Sequence, residues 1–275
     1  MKRPRTRLGW MFLSISSAAL AVACATSPLG RRQLMILPEG QMDAMGVQSF
    51  DQMKQQTPIA KDSAVNNYVK CVATPITAVA GPEAGVKDWE IVVFQDEQVN
   101  AFALPGGKVG VYSGLLKVAK SDSQLAAVIG HEIGHVIARH GNERVSENLA
   151  AQGGMAALSI LTGGNGQSGN GALLASLLGA GAQYGYLLPH SRTQESEADL
   201  IGLKLMARSG FDPQQSVELW KNMIQASQGK APPEFMSTHP ASENRIKALQ
   251  EHMPEALALY QKATSGHQRA GCVGP

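Results

Sequence analysis

Residues 121–141 read SDSQLAAVIGHEIGHVIARHG, and this run constrains the fold more than any other. Leu125, Val128, Ile129, Ile133 and Val136 recur at helical spacing, so the segment is expected to be a helix surrounded by apolar contacts. Within it stand His131, Glu132 and His135. Burying such groups is costly unless they find partners, so the rest of the chain must deliver those partners to this helix. Each helical residue turns by about 100°, which leaves His131 and His135 on nearly the same face about one turn apart. Two imidazoles so placed can reach one metal ion. Glu132 is rotated away from that face, too far for easy ligation but well placed to meet a water on the metal. Ser121 or Asp122 is expected to cap the helix, which would run to about His140 and stop with Gly141 at C′.

The chain around it is long enough for one domain of about 200 residues with extensions. Residues 24–50 lack a clean period and read as a tether that becomes a first helical or edge element. Helical spacing follows from Asp51 to Ile76, ending at Thr74-Pro75. EIVVF, NAFALP and KVGVYSG read as three strands, with Gly106-Gly107 turning the last two into a hairpin. Residues 145–189 are Ala/Leu/Gly-rich and interrupted by TGGNGQSGNG, which suggests a helical hairpin near the site. Three more helices are expected, one stopped by Gly210 and the last closed by Pro254. The domain thus spans residues 51–265, with a short tail over 266–275. Helical sequence beside few strands gives an α+β class, mainly helical with a small antiparallel sheet against the active-site helix.

A catalytic zinc site needs a third protein ligand. A metzincin would have histidine at position 141, but that residue is Gly141. The other option is a carboxylate from a later helix, and RTQESEADLIG offers Glu195 and Asp199, four residues apart on one face. Taken alone, these acids would suit the dipole at a helix start. HEIGHVIARH, SRTQESEAD and STHPASENRI, preceded by NAFALPGG, together resemble the M48 family of zinc metallopeptidases, specifically its exported bacterial branch. The resemblance covers residues 50 to 255 and implies a zincin-like fold. It implies one Zn²⁺ ion per chain on His131, His135 and Glu195, with Asp199 orienting a zinc histidine through its other ring nitrogen. It makes Glu132 the general base. It places His239 by the metal, either stabilising an oxyanion or occupying the open zinc position as a latch. Arg245 would stabilise the same charge or hold a nearby carboxylate. Read from local sequence alone, Pro240 would open a helix and Arg245 would be solvated.

The first residues bear on location. Lys2, Arg3, Arg5 and Arg7 form a basic start, followed by the apolar run LGWMFLSISSAALAVA, short of a membrane span. Residues 1–23 therefore read as a signal peptide. AVAC resembles the lipobox of bacterial lipoproteins, which implies lipidation at Cys24. Leu20 is displaced from its usual place, and an ordinary cleavage after Ala21-Val22-Ala23 is the alternative. Ala25 in place of Asp implies the outer membrane by the same resemblance, with the protein facing the periplasm. Export would let Cys71 and Cys272 pair as a disulfide, the alternative being two free thiols. Without the four leader charges, 20 basic residues face 22 acidic ones, and no basic stripe favours nucleic acid.

The expected function is zinc-dependent endopeptidase action in the bacterial envelope, on unfolded or misassembled proteins that supply an extended strand to NAFALP. The alternative is a chaperone-like assembly factor of the outer membrane, working with its assembly machinery and holding a latched, mainly structural zinc.

Overall fold

The computed structural model describes residues 24–151, 191–227, 234–240, 243–265 and 271–274. The leader and most of the Ala/Leu/Gly-rich run at 145–189 lie outside the described residues. No described helix is long and apolar enough to cross a membrane.

Residues 24–50 pass into a first helix as expected, but two paired strands precede it in place of a tether. Strands β1 (Cys24–Thr26) and β2 (Arg32–Leu34) pair antiparallel, with Cys24 opposite Leu34. Helix α1 (Glu39–Gln56) follows and buries Met42 and Phe50. Its Phe50 meets Phe94 and Phe102 edge-on, seating the helix on the sheet.

Helix α2 (Ser63–Ala84) contains both Pro75 and Pro82, so Pro75 does not end it. Proline removes one backbone donor, yet Val69, Val72, Ala73, Ile76 and Ala80 are fully buried along one face that passes through the proline. Tertiary packing of that face outweighs the local break. The same holds at the other end of the chain. The last helix continues past Pro254 because Leu249 and Ala256, on either side, are both buried.

The sheet is mixed, in the order β3 (Glu90–Phe94), β5 (Lys108–Tyr112), β4 (Ala101–Leu104). Strands β4 and β5 form the expected antiparallel hairpin, but β3 runs parallel to β5. The loop after β3 crosses the end of β5: Asp96 O accepts from Gly114 N at 2.8 Å and from Ser113 Oγ at 2.9 Å. This crossing leaves β4 at the edge of the sheet.

Ser113–Lys117 forms a 3₁₀ turn leading to helix α3 (Asp122–Ile137), which is buried on nearly every side. Helices α4 (His140–Ala151), α5 (Arg192–Arg208), α6 (Gln215–Ser227), α7 (Glu234–Thr238) and α8 (Glu243–Thr264) surround it. A disulfide joins Cys71 of α2 to Cys272 in the tail. Beside it, Cys272 N donates to Asp122 Oδ2 in the first turn of α3 at 3.2 Å.

Candidate metal centre

Two caps set the register of the helices that carry the site. Ser121 Oγ accepts from Gln124 N and starts α3. Ser191 and Gln194 form a reciprocal capping box that starts α5 and puts Glu195 in its first turn. The two helices then cross at glycines. A Cβ on Gly202 would lie 2.6 Å from His131 N, and one on Gly134 would lie 2.8 Å from Ala198 O. Only this close approach brings the acids of α5 to the histidines of α3.

His131, His135, Glu195 and His239 converge, all buried. His131 Nε2 stands 3.1 Å from His135 Nε2 and 3.2 Å from His239 Nδ1. Glu195 Oε1 is 3.0 Å from His239 Nδ1 and 3.5 Å from His135 Nε2, and its Oε2 is 3.5 Å from His131 Nε2. A tetrahedral zinc site with bonds of about 2.0–2.1 Å has ligand atoms about 3.3 Å apart, and these separations match it. The converging lone pairs are costly without a cation between them. Glu195 Oε2 also lacks a well-aligned hydrogen bond, although Arg245 Nη1 lies 2.6 Å from it. The donor set therefore fits a zinc ion.

Asp199 backs His131, with Oδ1 at 3.0 Å from Nδ1. Arg245 donates to Asp199 from Nε at 2.6 Å and from Nη2 at 2.7 Å, and its guanidinium lies 4.0 Å over Trp220. Of the two expectations for Arg245, its contacts are those of a residue holding carboxylates. It is buried, not solvated. Glu132 lies beside the cluster, with Oε1 3.4 Å from His239 Nε2.

Burial raises the Glu132 pKa despite the nearby His239 and His131 charges. Burial would do the same to Glu195 and Asp199, but their cationic neighbours win. The His239 charge and hydrogen bond lower Glu195, and the Arg245 charge and hydrogen bonds lower Asp199. His135 is held well below its ordinary value by burial and by the charges of His131, His140 and His239. Burial also opposes protonation of His131, but Asp199 and Glu195 raise its pKa.

A second chain of contacts escaped the sequence. Helix α3 ends at Ile137 and not near His140, because Arg139 and not Gly141 takes the left-handed conformation, at φ 56°. That early turn folds His140 back, with its Nδ1 2.8 Å from His135 Nδ1 and its Nε2 3.1 Å from Glu197 Oε2. Glu197 accepts from Ser27 Oγ and, at 2.8 Å, from Arg31 Nε. Arg31 Nη2 also donates to Glu143 at 2.7 Å. Burial opposes ionisation of Glu197, but His140, Ser27 and Arg31 bring its pKa down to about 2. Burial keeps His140 below its ordinary value. His140 and Glu197 lie inside the quoted motifs, but nothing in their spacing joins them, and Ser27 and Arg31 carry no sequence signal.

A cleft lined by Met42, Met53, Phe102, Tyr112, Glu132 and His239 runs between α1, β4 and the cluster. Asn100 O accepts from Tyr112 N. Hydrogen-bonded pairs recur at every second residue of an antiparallel ladder, so the backbone polar groups of Ala101 and Ala103 point away from β5.

Comparison with known proteins places this geometry. The model of peptidase family M48 matches residues 63–253. The mitochondrial metalloendopeptidase OMA1 of Schizosaccharomyces pombe is 38% identical over 203 residues, 73% of this chain and 57% of the relative. That of Arabidopsis thaliana is 37% identical over 188 residues, 68% of this chain and 36% of the relative. The β-barrel assembly-enhancing protease of Escherichia coli K12 is 30% identical over 249 residues, 88% of this chain and 50% of the relative. The chain thus spans about half the length of the curated relatives it matches. The convergent histidines and carboxylates, three on helices and His239 just past the end of α7, lie within the matched span, and the chain belongs to peptidase family M48.

Proposed function

We propose that the protein is a zinc-dependent endopeptidase of the bacterial cell envelope, acting on unfolded or misassembled proteins. The carrying observation is the buried convergence of His131, His135, Glu195 and His239 beside Glu132. His131, His135 and Glu195 would hold one zinc ion. When bound, zinc acidifies water and polarises the scissile carbonyl. Glu132 takes the proton of the attacking water and passes it to the leaving amine. Its raised pKa suits that exchange. Asp199 fixes the ring of His131, and Arg245 acts as a positioning residue through Asp199 and Glu195.

His239 stands at the fourth corner of the cluster. Swinging away, it would free that corner and Glu132 together, which makes it a latch; staying near, it would donate to the oxyanion. The substrate lies extended along β4, paired to the outward carbonyl of Ala101, whose N–H donates to Asn100 Oδ1, and to the outward backbone of Ala103, so side-chain sequence matters less than being unfolded. The β-barrel assembly-enhancing relative supports an envelope substrate. Lipidation at Cys24 would then anchor the domain at the outer membrane, facing the periplasm.

A closed fourth corner also favours a second reading, an assembly factor with a structural zinc. Cleavage of unfolded casein by metal-loaded protein separates the two. Glu132→Gln is expected to keep its metal and lose cleavage by at least about 100-fold. A gain from His239→Ala identifies a latch and a loss identifies an oxyanion donor. If wild type and His239→Ala cleave no better than Glu132→Gln on casein or envelope substrates, the assembly factor replaces the peptidase.

A further inference from the structure

We propose that the N-terminal β-ribbon is part of the metal centre: Ser27 and Arg31 clamp Glu197, and Glu197 acts through His140 to orient His135. The proposal rests on the reading of His135 as a ligand. His140, Glu197, Arg31 and Ser27 are positioning residues within it.

The direction of the hydrogen bonds carries the inference. His135 turns Nε2 toward the cluster and Nδ1 toward His140 Nδ1, 2.8 Å away. To offer a lone pair at Nε2, a neutral His135 must carry its proton on Nδ1. The facing nitrogen of His140 must then accept, so His140 carries its proton on Nε2. There it meets Glu197 Oε2 at 3.1 Å, an acceptor when ionised. Glu197 thereby sets the tautomer of two histidines in turn. The opposite assignment would put a proton on His135 Nε2 and close it to a cation.

Glu197 is held in place from the ribbon. Ser27 Oγ donates to Oε1, and Arg31 Nε donates to Oε2 at 2.8 Å. Arg31 Nη1 and Nη2 grip Glu143 of α4 at 2.5 and 2.7 Å. Gln33 of the same ribbon donates to Ala138 O at 2.7 Å and to Glu143 at 3.2 Å, pinning the turn that returns His140. Ser27, Gln33, His140, Glu143 and Glu197 are all buried. Cys24, the lipidation candidate, begins the same ribbon, so membrane attachment and support of the site would share one element.

The test is Zn²⁺ affinity of the full mature chain, measured by competition with a chromophoric chelator, alongside thermal melting and the visible spectrum of the Co²⁺ form. Glu197→Gln, His140→Phe and Arg31→Met should each weaken Zn²⁺ binding by about 10–100-fold while the protein stays folded. Their Co²⁺ spectra should shift. His140→Asn keeps an acceptor near the Nδ1 position and should retain more affinity than His140→Phe. Arg208→Ala, which breaks the surface pair with Glu83, should leave affinity unchanged. The proposal is overturned if His135→Ala loses zinc while the Glu197, His140 and Arg31 variants bind it like wild type. Lower melting temperatures with unchanged affinity and spectra would likewise reduce the chain of contacts to a structural one. If His135→Ala itself binds zinc normally, the ligand assignment falls and takes this inference with it.

Discussion

The two histidines of α3 are supported in different ways. His131 is backed directly by Asp199, and Asp199 by Arg245 from α8. His135 is backed by another histidine, His140, then Glu197, and only then Arg31 from the ribbon. Both carboxylates come from α5, two residues apart, so one helix serves both sides of the cluster. Arg245 is buried against Trp220, whereas the Arg31 side chain is 26% exposed. The first support is short, dry and built from late elements. The second is longer, nearer to water, and reaches back to the start of the described chain. Losing a partner is worse where water cannot replace it, so the two sides should answer differently to the same kind of change.

Removing the arginines gives the largest contrast. Arg245→Met leaves Asp199 and Glu195 buried without their cation and should cost about 3–5 kcal/mol in denaturant melts. Arg31→Met exposes Glu197 and Glu143 to hydration at the rim and should cost about 1–2 kcal/mol. Equal losses would erase the distinction between a dry and a wet support.

A change at the shared hinge should weaken both supports together. Gly202→Ala puts a methyl against the backbone of Gly130 and His131, driving α3 from α5. The expected cost is about 1–3 kcal/mol, with reduced metal stoichiometry by elemental analysis. Destabilisation with full metal content would mean that the helix crossing does not set the cluster.

The smallest effect is a pH dependence on the His135 side, read on metal-free protein. The Glu197 pKa is held near 2 when folded, against about 4.3 in an unfolded chain. Between these values the unfolded state binds more protons, so stability is complete above about pH 4.3 and drains away as the pH falls toward 2. In Glu197→Gln the loss over this window should be shallower than in wild type, measured by thermal melts at stepped pH. An unchanged slope would show that the ribbon does not hold the Glu197 carboxylate ionised.

What was legible in the sequence lay within single helices. The periodicity of DSQLAAVIGHEIGHVI dictated a buried helix, and its spacing put His131 and His135 on one face with Glu132 off it. The spacing of Glu195 and Asp199 did the same on α5. Such relations follow from helix geometry alone, which is the same wherever a helix sits. Breakers were less informative: Pro75 and Pro254 both lie inside helices, because a buried face passing through a proline outweighs the hydrogen bond it removes. Nor did β3 betray its direction, since a strand pairs either way and the loop crossing over Ser113 decides which.

Sequence by itself thus determined the buried helix of the HEIGH run, the faces on which its histidines and the later acids stand, and the family, because these depend on contacts within a turn or two of chain or on motifs read in order. Tertiary structure alone decided the crossing at Gly202 and the line from Ser27 and Arg31 through Glu197 and His140 to His135. Those contacts join residues distant in the chain, and a hydrogen bond across such a separation leaves no period in the sequence. It exists only once packing has fixed both ends.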